Sequence, residues 1–368
     1  MVSVSVTAYP HNRNDEGSHS ANGRECMWVK GEYHVKLDRI AENSARALGR
    51  DRQPSLFDRL AWFGLLHRLC APHWRILAVR TRSEHSDCWL VLAHEHEDSL
   101  ISLANWYSFS FHPIFTGTPS DETKLTLLTA AAQRLRGRAC RILLEPLPES
   151  DLALVETSFR RAGWRVFSEV KTVNHTLDTD GIDFATYWAG RPGALKSTVK
   201  RKAKKNIVTL ELFDRFDADA WAAYEQVYAQ SWKPEEGHPE FLRALAEQEG
   251  AAGALRLGIA RIEGRPVAAQ MWTTDHGVAN IHKLAHVEDS DKASPGTLLS
   301  YAMFEHAFER DHVRTIDFGT GDDAYKRDWM NACRPLYRVE MYNLRRPAAW
   351  FPALKTALSR LVKRRGSD

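Results

Sequence analysis

The chain has 368 residues, 43% of them hydrophobic and 26% charged, with 50 Lys and Arg against 47 Asp and Glu. That length suits two domains of ordinary size, and the composition excludes a disordered or fibrous chain. A net charge of only +3 means that contact with nucleic acid or membrane has to come from local clusters.

Residues 1–30, with "YPHNRNDEGSHSANGREC", have no apolar core of signal-peptide length and read as a polar tail. No run of 18 apolar residues occurs, so no membrane span is expected. Cys26, Cys70, Cys88, Cys140 and Cys333 are scattered and show no C-x-x-C spacing, which reads as free thiols in a reducing cytoplasm. The first half then predicts a helix over 55–70, strands at 75–80, 88–94 and 99–105, a helix near 122–136, a strand at 140–147, a helix over 150–162 and a strand near 165–170. The second half predicts helices near 219–231 and 239–249, strands at 255–262, 266–274 and 278–287, a helix over 295–310, the strand "RTIDF", a short helix from Asp322 and a strand at 336–343. Helices, three strands, helix, strand, helix, strand occur in that order twice, although no residue-by-residue repeat is visible. Strands joined by short turns should pair antiparallel, and the strand after each crossover helix should pair parallel. The expected fold is therefore α/β (α+β), with two modules, each a mostly antiparallel mixed sheet flanked by helices. Their boundaries fall at 31–180 and 211–345, around a basic helical connector at 181–210, with an amphipathic helix at 346–368.

In the connector, Leu195, Val199 and Ala203 form a thin apolar stripe among Lys196, Lys200, Arg201, Lys202, Lys204 and Lys205. This is either a solvated helix face or a phosphate-facing surface. No aromatic platform is interleaved, so DNA is not an expected partner. In the last segment Trp350, Leu354, Ala357, Leu358 and Leu361 share one helical face, with Lys355, Lys363, Arg364 and Arg365 outside it. That face packs on the second module, or lies in an anionic membrane interface. His94, Glu95 and His96 lack a further ligand at metal-site spacing, and no metal is expected.

The second half concentrates the chemistry. Ser294 and Pro295 suit the cap and first turn of a helix, and Gly296 lets a ligand approach the backbone. A helix N-terminus there is a natural seat for a pyrophosphate, with Lys292 and Thr297 beside it. His282, Leu284 and His286 alternate onto one face of a strand and Lys283 onto the other. Either histidine has a pKa suited to a general base, or is satisfied within the sheet. Asp317 ends its strand between Ile316 and Phe318, as a group that orients a histidine, accepts an ammonium or caps the turn. The loop "NWYSFSFHP" offers Trp106, Tyr107 and His112, and "SWKPEEGHPEF" offers Trp232, Lys233 and Glu236; each lines a substrate cleft or closes a core.

The segments "HKLAHVEDSDKASPGTLLSYAMFEHA" and "IDFGTGDDAYKRDW" resemble the GNAT acyltransferase superfamily. Within it they are similar to the two-module FemAB-like peptidoglycan aminoacyl transferases and the BioF2-like (CelD-type) acetyltransferase domains. The likeness is strongest over 185–343. It implies a cleft where the strand at 278–287 splays from the strand at 314–318. A thioester's pantetheine arm would pair along the first strand, through Lys283 and Leu284, while its phosphates sit on the helix at Ser294 to Thr297. By the same resemblance Tyr325 would protonate the leaving sulfur and Lys326 would face the acyl group. The superfamily's basic-x-x-Gly-x-Gly/Ala loop falls on Asp291 to Gly296, where only Gly296 fits. The resemblance thus implies an N-acyltransferase using acyl-CoA or an acyl-carrier protein, with a primary amine, possible of lipid or sphingoid type, as acceptor. Two alternatives stand beside it: a transferase using aminoacyl-tRNA on a cell-envelope precursor, and a non-catalytic polysaccharide-assembly module. The expected location is the cytoplasm or the inner face of the membrane.

Overall fold

The computed structural model describes residues 29–365, so Cys26 and nearly all of the tail expected at 1–30 lie outside the described residues. The first half runs β1 (Lys30–His34), α1 (Leu37–Ser44), α2 (Leu60–Cys70), β2 (Arg75–Arg82), β3 (Asp87–His96), β4 (Ser99–Ser102), β5 (Ile114–Thr116), α3 (Asp121–Leu135), β6 (Arg141–Pro148), α4 (Glu149–Arg161) and β7 (Arg165–Asp178). The connector supplies α5 (Phe184–Ala189), α6 (Gly193–Ala203) and β8 (Thr209–Phe213). The second half runs α7 (Ala218–Ala229), α8 (Pro239–Ala251), β9 (Leu255–Ile262), β10 (Arg265–Asp275), β11 (Val278–His286), α9 (Pro295–Glu309), β12 (Thr315–Thr320), α10 (Ala324–Trp329), β13 (Ala332–Tyr342) and α11 (Trp350–Arg365). The repeated element order of the sequence is present. β1, α1, β5, β8 and α5 are additions, and β7 is far longer than expected because its second half serves the other module's sheet.

The strands form a single sheet, in the order β1-β2-β3-β4-β6-β13-β7-β12-β11-β10-β9-β8, with β5 paired to β3. Two pairs are parallel, β4 with β6 and β11 with β12, each following a crossover helix as expected. The two halves exchange their last strands. β13, which ends the second half, lies between β6 and β7, and β7, which ends the first half, pairs with β12. The expected pair of sheets is therefore one continuous ribbon across both halves.

Burial follows that ribbon. One face is covered by α2, α7 and α8, whose Trp62, Trp221 and Phe241 share a core with Trp89 of β3 and Met271 of β10. On the other face, α3 and α4 cover the first half, and α5 and α9 cover the second through Phe184, Tyr187, Leu299 and Phe304. Capping side chains start several of these helices: Ser120 accepts from Thr123 N at 3.2 Å before α3, and Asp217 from Ala220 N at 2.8 Å before α7. A buried ion cluster ties the halves together at the β10–β11 turn. There Arg59 lies 2.8 Å from Asp275, and Arg50 lies 2.7 Å from Glu249.

The final helix departs from the packing reading. Ala349 and Ala353 are buried and Tyr342 bonds Thr356 at 2.8 Å, so α11 docks through a small-residue face. Trp350, Leu354 and Leu358 are 58%, 58% and 53% exposed, and Phe351 is 76% exposed. Small residues at 349 and 353 let the helix sit close to β13, which turns its large apolar side chains outward. The side chain of Leu361 is outside the described residues.

Candidate active site

β11 and β12 pair only over Val278↔Thr315, Ala279↔Ile316 and Asn280↔Asp317. β11 continues to His286 and β12 to Thr320 with no pairing between them, so the sheet branches at Asp317. This is the splay expected between the two strands. Asp317 shares the α7–α8 face with Asn174 of β7, because Ile316 and Phe318 alternate into the core under α9. Its carboxylate accepts from Asn174 Nδ2 at 2.8 Å and from Gly319 N at 2.8 Å. Burial pushes its pKa from the ordinary 3.8 up to about 6, against the pull of those two donors and of Lys326.

A bulge changes the facing of the strand next door. Met271 of β10 pairs with Lys283 and Trp272 with Ile281, so His282 is left without a partner in the register. His282 and Lys283 therefore point to the same side, toward α7. His282 lies against the rings of Phe57 and Phe109, and the Lys283 ammonium lies 5.0 Å from the Tyr107 ring and 5.6 Å from the Tyr228 ring. The expectation that His282, Leu284 and His286 share a face opposite Lys283 is corrected: Leu284 and His286 face α9, and His282 stands with Lys283. His282 bonds Thr273 Oγ1 at 2.9 Å, and burial, with Lys283 beside it, drives its pKa down to about 3. It is a neutral hydrogen-bonding group at neutral pH.

Loop 103–113 crosses from the first half to the branch point. A Cβ on Gly319, at φ +70°, would meet Phe109 ring atoms at 2.9 Å, so the turn after Asp317 is pressed onto that loop. Tyr107 donates to Glu236, and Lys283 Nζ lies 2.5 Å from Glu236 Oε2. Burial favours the neutral acid, but these donors prevail and hold the Glu236 pKa below its usual value. Segment 231–237 is anchored by a bridge between Ser231 and Val287 and lies along the free edge of β11. Lys233 faces Lys283, Asp323 and Lys326 there, and burial followed by the Lys283 charge lowers its pKa to about 8. The Trp232 ring packs at a tilt against His286 at 4.3 Å, and exposed Trp106 stacks on His238 at 5.5 Å.

His112 is elsewhere. Its Nδ1 lies 2.6 Å from Asp151 of α4 and its Nε2 lies 2.8 Å from Ser110, so it belongs to the first half and not to the branch point. Burial would lower its pKa, but Asp58 and Asp151 raise it to about 9.

Lys326 is 3% exposed, and its Nζ lies 2.7 Å from Thr320 O, 3.2 Å from Gly321 O and 3.3 Å from Asp323 Oδ2. Its ammonium holds the turn together instead of facing an open slot, a correction to the placement the resemblance implied. Tyr325 is 41% exposed and lies 5.6 Å from the Phe318 ring; burial followed by the charge of Asp323 raises its pKa. The short helix begins at Ala324, not Asp322, because Asp322 is held by Arg327 and His175.

At α9 the expected capping role of Ser294 is corrected. The chain enters from a 3-10 turn over Glu288–Ala293 with Ser294 at φ 53°, and its hydroxyl turns back to Asp291 O at 3.4 Å. No side chain caps α9, so the amides of its first turn, at Gly296 and Thr297, remain available to an anion. His286 bonds Asp291 at 2.9 Å beside Gly296, and Lys202 of α6 reaches the Lys292 carbonyl. The basic helix thus flanks this helix end. A hollow of about 810 Å³, lined in part by Phe184, Trp188 and Tyr301, includes none of these residues.

Sequence reasoning missed Asn174 and Thr273. Asn174 and Thr273 are ordinary polar letters within strands, and only the exchanged position of β7 brings Asn174 to Asp317.

Residues 194–327 match the family model described as an acetyltransferase (GNAT) domain. No curated protein matches the sequence. Among solved structures, FemX is similar in fold, with a TM-score of 0.58 at 10% identity over 84% of this chain and 96% of that one. So is the C-terminal domain of an Agrobacterium fabrum protein assigned as a lysylphosphatidylglycerol synthetase, with a TM-score of 0.56 at 15% identity over 88% of this chain and 97% of that one. The family match lies over the branched strands, the uncapped helix and the Asp317 turn, so this part of the chain is similar to a GNAT acetyltransferase domain, and the fold over most of the chain is similar to that of FemX.

Proposed function

We propose that this protein is an N-acyltransferase that moves an acyl group from a thioester onto a primary amine at the β11–β12 branch, with Asp317 as the general base. The observation that carries the reading is the branch itself: pairing stops after Asn280↔Asp317, and the carboxylate at that point is raised to about 6. A carboxylate of that pKa is ionised at neutral pH yet more basic than an ordinary aspartate, so it is suited to take the proton that an attacking amine must lose. The β11 amides beyond Asn280 are not used by β12, which leaves donors for the thioester arm and for the tetrahedral oxyanion. The Tyr325 hydroxyl, kept protonated by burial, would give its proton to the leaving thiolate. The uncapped start of α9 suits the phosphates of acyl-CoA or of a carrier protein's prosthetic arm. Lys233 and Lys283 add positive charge to the slot, and Lys326 and Asp323 fix its turn.

An amine of lipid or sphingoid type is the acceptor favoured by α11. Its outward Trp350, Phe351, Leu354 and Leu358 lie in a stretch, residues 341–367, that has seven Lys and Arg and no Asp or Glu. An apolar stripe bordered by cations suits an anionic bilayer surface, which would bring the slot to its acceptor. Among the described residues no helix is long and apolar enough to cross a membrane.

A second reading, aminoacyl-tRNA as donor, is favoured by the placement of α6. Exposed Lys200, Arg201, Lys204 and Lys205 run beside the α9 N-terminus, where a nucleic acid's phosphates could continue from the donor site. Incubating the protein with mixed acyl-CoAs, acyl-carrier-protein thioesters and charged tRNA, against a panel of amines that includes lipid amines, separates the readings by product mass. Acyl-amine product lost in Asp317→Asn supports the first reading. No product from any thioester with folded protein overturns it.

A further inference from the structure

Behind the turn that follows β12, three donor side chains from distant parts of the chain converge. His175 of β7 and Cys333 of β13 are directly paired in the antiparallel register. Asp322 reaches them from the turn, with its Oδ1 3.0 Å from His175 Nε2. The imidazole nitrogen, the carboxylate oxygen and the Cys333 sulfur all lie within 4.8 Å of one another. His175 is 2% exposed, whereas Asp322 and Cys333 are open to solvent. Cys333 is a free thiol.

We propose that His175, Asp322 and Cys333 form a binding site for a zinc ion, with its fourth position open to water. Bond lengths of about 2.0–2.3 Å in a tetrahedral zinc site set its ligand atoms roughly 3.3–3.7 Å apart, so a contraction of about 1 Å closes this group around a metal. Two of the ligands are on strands paired to each other, which holds their spacing, and the third is on a turn that can adjust. One imidazole, one thiolate and one carboxylate make a mixed donor set that suits zinc. Magnesium and calcium prefer oxygen ligands throughout.

Arg327 completes the arrangement. Its Nη2 lies 2.6 Å from Asp322 Oδ2, which orients the carboxylate while Oδ1 faces His175; Nε is more distant, 3.3 Å from Oδ1. Such an outer partner is what fixes a metal-ligating carboxylate. Binding releases the thiol proton to solvent and leaves zinc at the same oxidation state. The bound ion would fasten the exchanged strands β7 and β13 to the 319–323 turn, whose Gly319 amide holds Asp317. It would act as a brace behind the branch point and is independent of whether acyl transfer takes place there.

The test uses the full-length protein, stripped of metal with chelator and dialysed. Iodoacetamide labelling of the Cys333 peptide is followed by mass spectrometry with and without about one equivalent of zinc chloride, and bound zinc per chain is measured in parallel. Zinc should slow labelling of Cys333 by at least about tenfold, the scale set by loss of even an outer metal partner. Zinc binding should weaken at least as much in Asp322→Asn and in Cys333→Ser, two exposed positions that leave the core intact. Labelling that is indifferent to zinc, or zinc binding unchanged in both variants, overturns the proposal.

Discussion

Replacing Asp317 with asparagine should cut turnover sharply and at the same time stabilise the protein in a pH-dependent way. Burial raises this carboxyl from 3.8 to about 6, so the folded state binds its proton more tightly than the unfolded state. Its contribution is then neutral below the unfolded pKa and becomes unfavourable as pH rises toward and through the folded value. Worked at 1.36 kcal/mol per pH unit, the cost of holding the ionised carboxylate is about 3 kcal/mol at pH 8 and about 1.6 kcal/mol at pH 5. Asparagine keeps an acceptor for Gly319 N and carries no charge. Urea unfolding of the two proteins should therefore show the Asp317→Asn advantage growing by about 1.4 kcal/mol between pH 5 and pH 8. In the wild type, kcat/KM for the acyl acceptor should rise with pH and level off above about 6. In the variant it should fall by about 10²–10⁴, the usual contribution of a general base. A stability gap that stays flat or narrows with pH would refute the raised carboxyl, and with it the assignment of Asp317 as base.

Three other outcomes follow from the geometry. Lys326→Met removes a buried ammonium from the Thr320 and Gly321 carbonyls, and should cost about 1.5–3 kcal/mol in unfolding free energy and speed hydrogen exchange of residues 319–323. Unchanged exchange there would argue against its positioning role. Gly319→Ala meets both a positive φ and Phe109 at 2.9 Å, so it should destabilise by about 1–3 kcal/mol from the backbone alone. Adding Phe109→Leu should recover only the packing part, which unfolding of the double variant measures. Changing Phe351, Leu354 and Leu358 to serine should leave thermal stability almost intact, because they are exposed, while lowering co-sedimentation with anionic vesicles at least about tenfold at 1.5–3 kcal/mol for each side chain that lipid would bury. Equal sedimentation would remove the membrane role from α11.

The sequence made much of the scaffold legible because local signals and tertiary contacts agree. "LRLGIARI", "PVAAQMWTT" and "RTIDF" are apolar runs bounded by turns, and each becomes a central strand. The branch at Asp317 was expected from the family resemblance, while the crossover helix before β12 accounts for its parallel pairing with β11. What was hidden depends on partners remote in sequence. Strict alternation assigns His282 and Lys283 to opposite faces, but the register with Met271 and Trp272 inserts an extra residue and puts them together. Ser294 has the letters of a cap, yet a left-handed backbone turns its hydroxyl away. The amphipathic pattern of α11 is real, but periodicity gives the stripe and not the side on which the rest of the protein lies. Lys326 was given a reacting role by the family resemblance, and its distances to the Thr320 and Gly321 carbonyls assign it to turn building instead.

The exchange of β7 and β13 also sets the order in which the protein can be assembled. β6 receives its second neighbour only when the last strand of the chain arrives, so a nascent first half leaves the ribosome with an open sheet edge. Neither half has a complete sheet without a strand from the other, and a version ending before Ala332 would lack the central rung of both. Synthesis must pass Tyr342 before either half reaches its native architecture, and until then the growing chain depends on whatever shields that bare edge from other polypeptides.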